Sequence, residues 1–327
     1  MFTKISTTEY LRSQGVSESL IKDLKAYRLK YSYQEADRDG EVLKKRIPQP
    51  ETVYIGGKVL TMAISALLEG KHIILEGEKS SGKNVLANML AFLFRRPIWT
   101  SSCHVQVDES KLVGSETFRN NEVSFREGHV VRAMKNGGFF IADEVNFARP
   151  EAVSVLYSAT DFRGEVDISG YSKVIGHPAY RVIATMNYGY SGTRELNEAF
   201  ADRFIVIHCG GMDEEDLKDF LQSQFPTLNA YHLEIFTGVY MDLQQKAQNS
   251  EISTRAVSLR GLLDALACMR RGLKPLWAME ICLINKAFDP YERTVVGDTV
   301  KTRIPESWEA AEAFSDITQT EEHEGER

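Results

Sequence analysis

The stretch Gly77-Glu78-Lys79-Ser80-Ser81-Gly82-Lys83-Asn84 lies between two segments of different hydrophobic period. Before it runs an apolar segment, His72-Ile-Ile-Leu-Glu76. After it, Val85-Leu-Ala-Asn-Met-Leu-Ala-Phe-Leu-Phe94 repeats at helical spacing. Strand, glycine loop and helix in that order are what a phosphate cradle requires. Glycines at both ends let the backbone approach phosphate oxygens closely. The amides that open the helix point at the anion, and Lys83 adds a point charge. Gly77 through Val85 are therefore candidate contacts to a nucleotide.

A second segment, Gly138-Phe-Phe-Ile-Ala-Asp143-Glu144, is an apolar strand ending in adjacent carboxylates. Paired with a phosphate-binding loop, the first such carboxylate holds Mg²⁺ and the second polarises a water. A glycine-rich loop alone is a modest signal; loop, helix and downstream Asp-Glu together are a specific one.

Working outward, apolar strands at 72–76, 97–101, 138–143, 180–186 and 203–208 alternate with helical stretches at 59–69, 84–95, 127–136, 150–160 and 195–201. That alternation predicts an α/β fold, a parallel sheet flanked by helices. Ligands in such sheets sit beyond the carboxyl ends of the strands, so the two motifs can meet at one site. Residues 213–288 lose the strand signal and carry amphipathic helical segments, which predicts a smaller α-helical lid domain. Four regions are expected: an N-terminal helical segment over 1–46, the nucleotide-binding domain over 47–211, the lid over 212–304, and an acidic, disordered tail over 305–327. The first boundary rests on Ile47-Pro-Gln-Pro50, where two prolines disfavour helix. The N-terminal helices, with Ser6 and Ser17 as caps, are either a docking pair or an adaptor for a partner.

Composition narrows the classes. The 327 residues are 43% hydrophobic and 26% charged, ordinary for a globular protein. A net charge of −7 argues against large-area nucleic-acid binding. Four cysteines without C-x-x-C spacing point away from a disulfide framework or zinc site. A polar start, Met1-Phe-Thr-Lys, and the lack of a membrane-length apolar run give a cytoplasmic expectation with no membrane partner.

Further along come Ala184-Thr-Met-Asn187 and Gly192-Thr-Arg-Glu-Leu-Asn-Glu-Ala-Phe-Ala-Asp202-Arg203-Phe204. With these, the stretch from about 51 to 290 resembles an AAA+ ATPase, and more narrowly the MoxR/CbbQ/GvpN branch related to dynein and midasin modules. The resemblance implies ATP and Mg²⁺ as cofactors. It implies that Lys83 contacts the β- and γ-phosphates, Asp143 holds Mg²⁺, Glu144 activates water, and Asn187 is the sensor that bonds the γ-phosphate or that water. Arg203 matches the arginine finger that reaches a neighbouring subunit's nucleotide. Ser253-Thr-Arg255 resembles the second sensor, with Arg260 a rival for its arginine. Segments 118–125, around Asn120-Asn121, and 163–175, turning near Gly170, read as hairpins and resemble the two channel-facing inserts of this branch. One position departs from the family pattern: Asn84 stands where Ser or Thr normally gives Mg²⁺ a hydroxyl, and its amide oxygen is the substitute ligand.

The expectation is a homo-oligomeric ring, a hexamer, that couples ATP hydrolysis to remodelling a protein client, with a von Willebrand A-domain protein as partner. Two alternatives stand beside it. One is a nucleotide-regulated switch with weak turnover, motivated by Asn84. The other is an McrB-like GTP-driven nucleic-acid motor, against which the net acidity weighs.

Overall fold

The structure, a computed structural model, describes residues 6–32, 42–50, 52–78, 81–103, 109–119, 122–148, 150–187, 195–254 and 256–316. The chain divides into two compact units, Met1–Gly211 and Met212–Arg327.

The first unit opens with α1 (Thr7–Ser13), α2 (Glu18–Lys30) and α3 (Gly57–Leu68). Then come β1 (His72–Gly77), α4 (Lys83–Phe94), β2 (Ile98–Ser102), α5 (Glu109–Leu112), β3 (Gly114–Arg119), β4 (Glu122–Glu127) and α6 (His129–Asn136). It continues through β5 (Phe139–Asp143), α7 (Pro150–Thr160), β6 (Glu165–Val166), β7 (Val174–Ile175), β8 (Arg181–Asn187), α8 (Glu198–Ala201) and β9 (Phe204–His208). Five strands form one parallel sheet in the order β2-β5-β8-β1-β9. Sequence-distant strands are thus neighbours, and β8 separates the loop-bearing β1 from the carboxylate-bearing β5.

Successive strand residues point to opposite faces, and both faces are buried. Ile73, Leu75, Phe139, Ile141 and Ile183 pack on one side with α2, α3 and α4. Ile74, Phe140, Ala142, Val182 and Ala184 pack on the other with α6 and α7. This is why the strands read as unbroken apolar runs rather than alternating ones. His72 opens β1 as a polar residue: its Nδ1 accepts from the Val182 amide at 2.9 Å, and burial drives its pKa down to about 3.

The expected boundary at residue 46 is not a division of the molecule. Leu11, Ile21, Leu24 and Tyr27 of α1 and α2 share the core of α4 and β1. Tyr27 Oη donates to the Ala179 carbonyl at 3.1 Å, and Arg28 Nε donates to the Leu93 carbonyl at 2.5 Å. These helices are docked on the sheet's core. Pro48 and Pro50 interrupt helix without interrupting the core.

β3 and β4 pair antiparallel from Gly114↔Glu127 to Arg119↔Glu122; the Asn120-Asn121 turn lies outside the described residues. β6 and β7 form the second hairpin, with Gly170 at a φ of 78° between them. Tyr171 stacks on Phe125 at 4.9 Å between ring centroids and donates from Oη to Glu116 Oε1 at 3.1 Å, so the hairpins touch.

The second unit is helical: α9 (Glu214–Gln224), α10 (Ala230–Gln248), α11 (Leu259–Met269), α12 (Pro275–Cys282), α13 (Pro290–Arg303) and α14 (Ala310–Ala313). Asp213, Asn229, Ser258 and Asp289 cap four of these helices through side-chain oxygens. Arg303 clamps Asp242 with two bonds of 2.6 and 3.0 Å, tying α13 to α10. The expected disordered tail does not begin at 305. Ala310, Ala313 and Phe314 are buried, and Phe314 bridges Leu228. The rest of that expectation, from 317 on, lies outside the described residues. No helix among the described residues is long and apolar enough to cross a membrane.

Candidate nucleotide site

The loop after β1 needs its glycines. A Cβ on Gly77 would fall 2.2 Å from the Cys209 carbonyl oxygen. Gly82 sits at φ 80°, ψ 10°, the left-handed region that side chains disfavour. Gly82 is also the N-cap of α4 and makes no side-chain cap bond, so the amides of the first turn remain available to an anion. Lys83 follows, largely buried. Its Nζ donates to the carbonyls of Gly77 at 2.9 Å and Glu78 at 2.5 Å, and to Ser81 Oγ at 3.2 Å. Burial lowers its proton affinity, opposed by Cys209, Asp143 and Glu144 nearby. Val85 lies two residues further on and packs against the core. Lys79 and Ser80 lie outside the described residues.

Strand register assembles the rest. Gly77 is paired directly with Asn187 across β1 and β8. Asp143 ends β5, and Glu144 turns away from the strand at φ 55°, ψ 49°. A non-glycine residue there stores strain of about 1–3 kcal/mol and aims its side chain off the strand direction. Thr185 fixes the turn: its hydroxyl donates to Asp143 Oδ1 at 2.6 Å and accepts from the Glu144 amide at 2.9 Å. Asn187 Nδ2 donates to Glu144 Oε1 at 3.0 Å, and Asn146 Nδ2 supports the Asn187 carbonyl at 2.9 Å. Lys83, Asp143, Glu144 and Asn187, read from separate segments, thus share one edge of the sheet. Thr185 was not singled out in the sequence. The signal existed: it lies two residues before Asn187, on the same face of the same strand.

Asn84, expected to offer an amide oxygen to Mg²⁺, instead donates from Nδ2 to Asp143 Oδ2 at 3.2 Å. In this arrangement it orients the carboxylate. Asp143 still fits Mg²⁺, since a magnesium site needs one or two carboxylates and takes its other oxygens from phosphate and water. No cluster of three or more His, Cys, Asp or Glu among the described residues would hold a metal by protein ligands alone.

Arg203 is not at this edge. It precedes β9, whose Phe204 is level with His72 and whose His208 is level with Glu76. The phosphate loop therefore starts roughly 20 Å further along the strands, at about 3.3 Å per residue. Arg203 Nη1 donates to the Ala199 carbonyl, and its guanidinium lies 5.0 Å from the Tyr157 ring centroid. Its Nε is buried without an acceptor among the described residues. Arg255 lies outside the described residues. Arg260 is on α11, in the second unit.

A phosphate loop, a helix amino terminus, paired carboxylates and a strand-end amide on one edge of a parallel sheet define the class of phosphate-loop NTPases. Residues 72–204 match the family model of the AAA domain, dynein-related subfamily. Among curated relatives, YojN of Bacillus subtilis (strain 168), an uncharacterized protein, is 34% identical over 249 residues, 75% of this chain and 82% of its own. An uncharacterized protein of Staphylococcus aureus (strain bovine RF122 / ET3-1) is 33% identical over 238 residues, 71% of this chain and 90% of its own. A variant of RuvB from Thermotoga maritima superposes with a TM-score of 0.48 at 15% identity, covering 80% of this chain and 78% of that one. The chain belongs to the AAA+ ATPase family, with a domain of the dynein-related subfamily.

Proposed function

We propose that this protein is a ring-forming ATPase of the MoxR type that couples Mg-ATP hydrolysis to remodelling or activation of a protein client. The observation that carries this reading is the separation of Arg203 from Lys83, Asp143, Glu144 and Asn187 along the sheet. A guanidinium is well suited to charge spread over γ-phosphate oxygens, and Arg203 can meet such charge only in a neighbour's site. ATP when bound supplies the phosphoanhydride, and Mg²⁺ offsets the charge of its oxygens. Lys83 and the α4 amides hold the β- and γ-phosphates. Asp143, steadied by Thr185 and Asn84, carries the metal. Glu144 accepts the proton of the attacking water, and Asn187 holds that carboxylate in place. Arg255, on the resemblance, senses nucleotide from the lid over 212–304. Ring formation as a hexamer, a von Willebrand A-domain partner and a cytoplasmic setting belong to the same reading.

Measuring phosphate release per subunit against protein concentration tests it. Specific activity should climb steeply as subunits assemble. A constant specific activity through the dissociation range, followed by size-exclusion, would remove the ring requirement.

The Asn84 bond to Asp143 favours a second reading, a nucleotide-regulated switch with slow turnover, because the carboxylate must leave that bond or share it to ligate metal. Asn84→Thr separates the two. A large rise in turnover or a lower Mg²⁺ requirement would show that the Asn84 bond restrains the wild-type site and supports the switch; unchanged or slower turnover supports the motor.

A further inference from the structure

Beside β2, the carboxyl edge of the sheet opens into another cavity, of 480 Å³, a size within the range of small-molecule sites. It is distinct from the phosphate loop, because β5 and β8 stand between β2 and β1. Ser101 and Ser102 line it from the end of β2, Lys111 from α5, Ser115 from β3, Arg126 from β4 and His129 from the first turn of α6.

The chemistry of this lining is one-sided. Hydroxyls and cations dominate it, and the carboxylate at its rim, Glu127, is engaged by Lys135. Gly128, the N-cap of α6, makes no side-chain cap bond, which leaves amides of the first turn on the same side. His129 Nδ1 and Ser101 Oγ share a hydrogen bond of 3.0 Å. Partial burial makes the His129 ring harder to protonate, opposed by its hydrogen bond to the Thr100 backbone and reinforced by the charges of Arg46, Arg132 and Arg126. The described lining has no Phe, Tyr or Trp; its one aromatic ring is that of His129, which is engaged with Ser101.

We propose that the cavity binds a phosphomonoester, a small polyhydroxylated molecule bearing one dianionic phosphate. Arg126 and Lys111 pair with the phosphate, and the serine hydroxyls bond its oxygens and the hydroxyls of the ligand body. The proposal is independent of whether the protein hydrolyses ATP.

Calorimetric titration tests it on full-length protein carrying Lys83→Ala, so that the phosphate loop has lost its own point charge. Inorganic phosphate and glucose 6-phosphate are the probes, with glucose as control. Both phosphates should bind saturably, and glucose should not. Lys111→Met with Arg126→Met should weaken both phosphates by at least about tenfold, as expected for lost charge-assisted bonds. Arg126→Lys alone should retain most of the affinity. Ser115→Asp, a single like charge at an exposed position, should abolish binding even if the double variant folds poorly. Thermal melting of each variant confirms folding. The proposal is overturned if neither phosphate binds, if glucose binds as well as glucose 6-phosphate, or if folded Ser115→Asp protein binds unchanged.

Discussion

At residue scale the site depends on one backbone turn and one hydroxyl. Glu144 leaves β5 in a left-handed conformation, and Thr185 meets both its amide and the Asp143 carboxylate. Thr185→Val keeps the volume but removes both bonds, leaving a half-buried amide and a carboxylate oxygen each without that partner. A hydrogen bond to a charged group is worth about 1.5–3 kcal/mol. The variant should therefore lose roughly ten- to a hundredfold in kcat. ATP affinity should stay near normal, because Lys83 and the loop are untouched. Paired turnover and nucleotide-binding measurements check this; equal losses in both would place Thr185 in folding rather than in positioning. Lys83, Asp143 and Glu144 could be picked out in the sequence because Lys83 opens the helix after a glycine loop and the two carboxylates fall at the end of an apolar strand. What Asn84 does was not legible. Residue type told that its amide could ligate; only the fold told that the amide faces Asp143.

At the scale of elements, β1 carries both the phosphate loop and a buried histidine. His72 has a pKa near 3 against 6.5 for an unburied ring, because burial penalises the imidazolium. Below pH 6.5 the unfolded chain takes up the proton that the folded chain refuses, so stability falls as pH falls from 6.5 toward 3. Going from pH 7 to pH 5, His72 alone should cost about 2 kcal/mol. His72→Asn places an amide oxygen where Nδ1 accepts the Val182 amide and cannot titrate. Its stability should therefore decline less over that interval in denaturant titrations. An identical decline would assign the pH dependence to other groups. The sheet strands and α4 were readable because burial on both faces leaves an apolar run. Segments were harder where local chemistry and tertiary packing disagree. Pro48 and Pro50 suggested a domain edge, but Leu24 and Tyr27 bury across it. Acidic residues after 305 suggested a free tail, yet Ala310, Ala313 and Phe314 are spaced to bury one side of it. Charge on the exposed side masked that pattern.

At the scale of the whole molecule, two compact units and a family placement frame the function. The sheet puts Arg203 about 20 Å, by strand length, from the phosphate loop of its own unit. That distance supports the proposal that Arg203 acts on a neighbour's nucleotide, and it was not visible in the sequence, because it follows from the strand register. Mixing two inactive variants tests this proposal most directly. Arg203→Ala should bind ATP almost normally and hydrolyse it poorly, since arginine fingers contribute about 10³–10⁵ in rate. Glu144→Gln should bind ATP and hydrolyse none of it, since an amide cannot take the proton. In mixed assemblies some interfaces pair an intact Glu144 in one subunit with an intact Arg203 from the next. Phosphate release from the mixture should then exceed that of either variant alone, once labelled subunits show exchange. Exchange without any gain in phosphate release would contradict an Arg203 that serves its neighbour, and with it the ring mechanism.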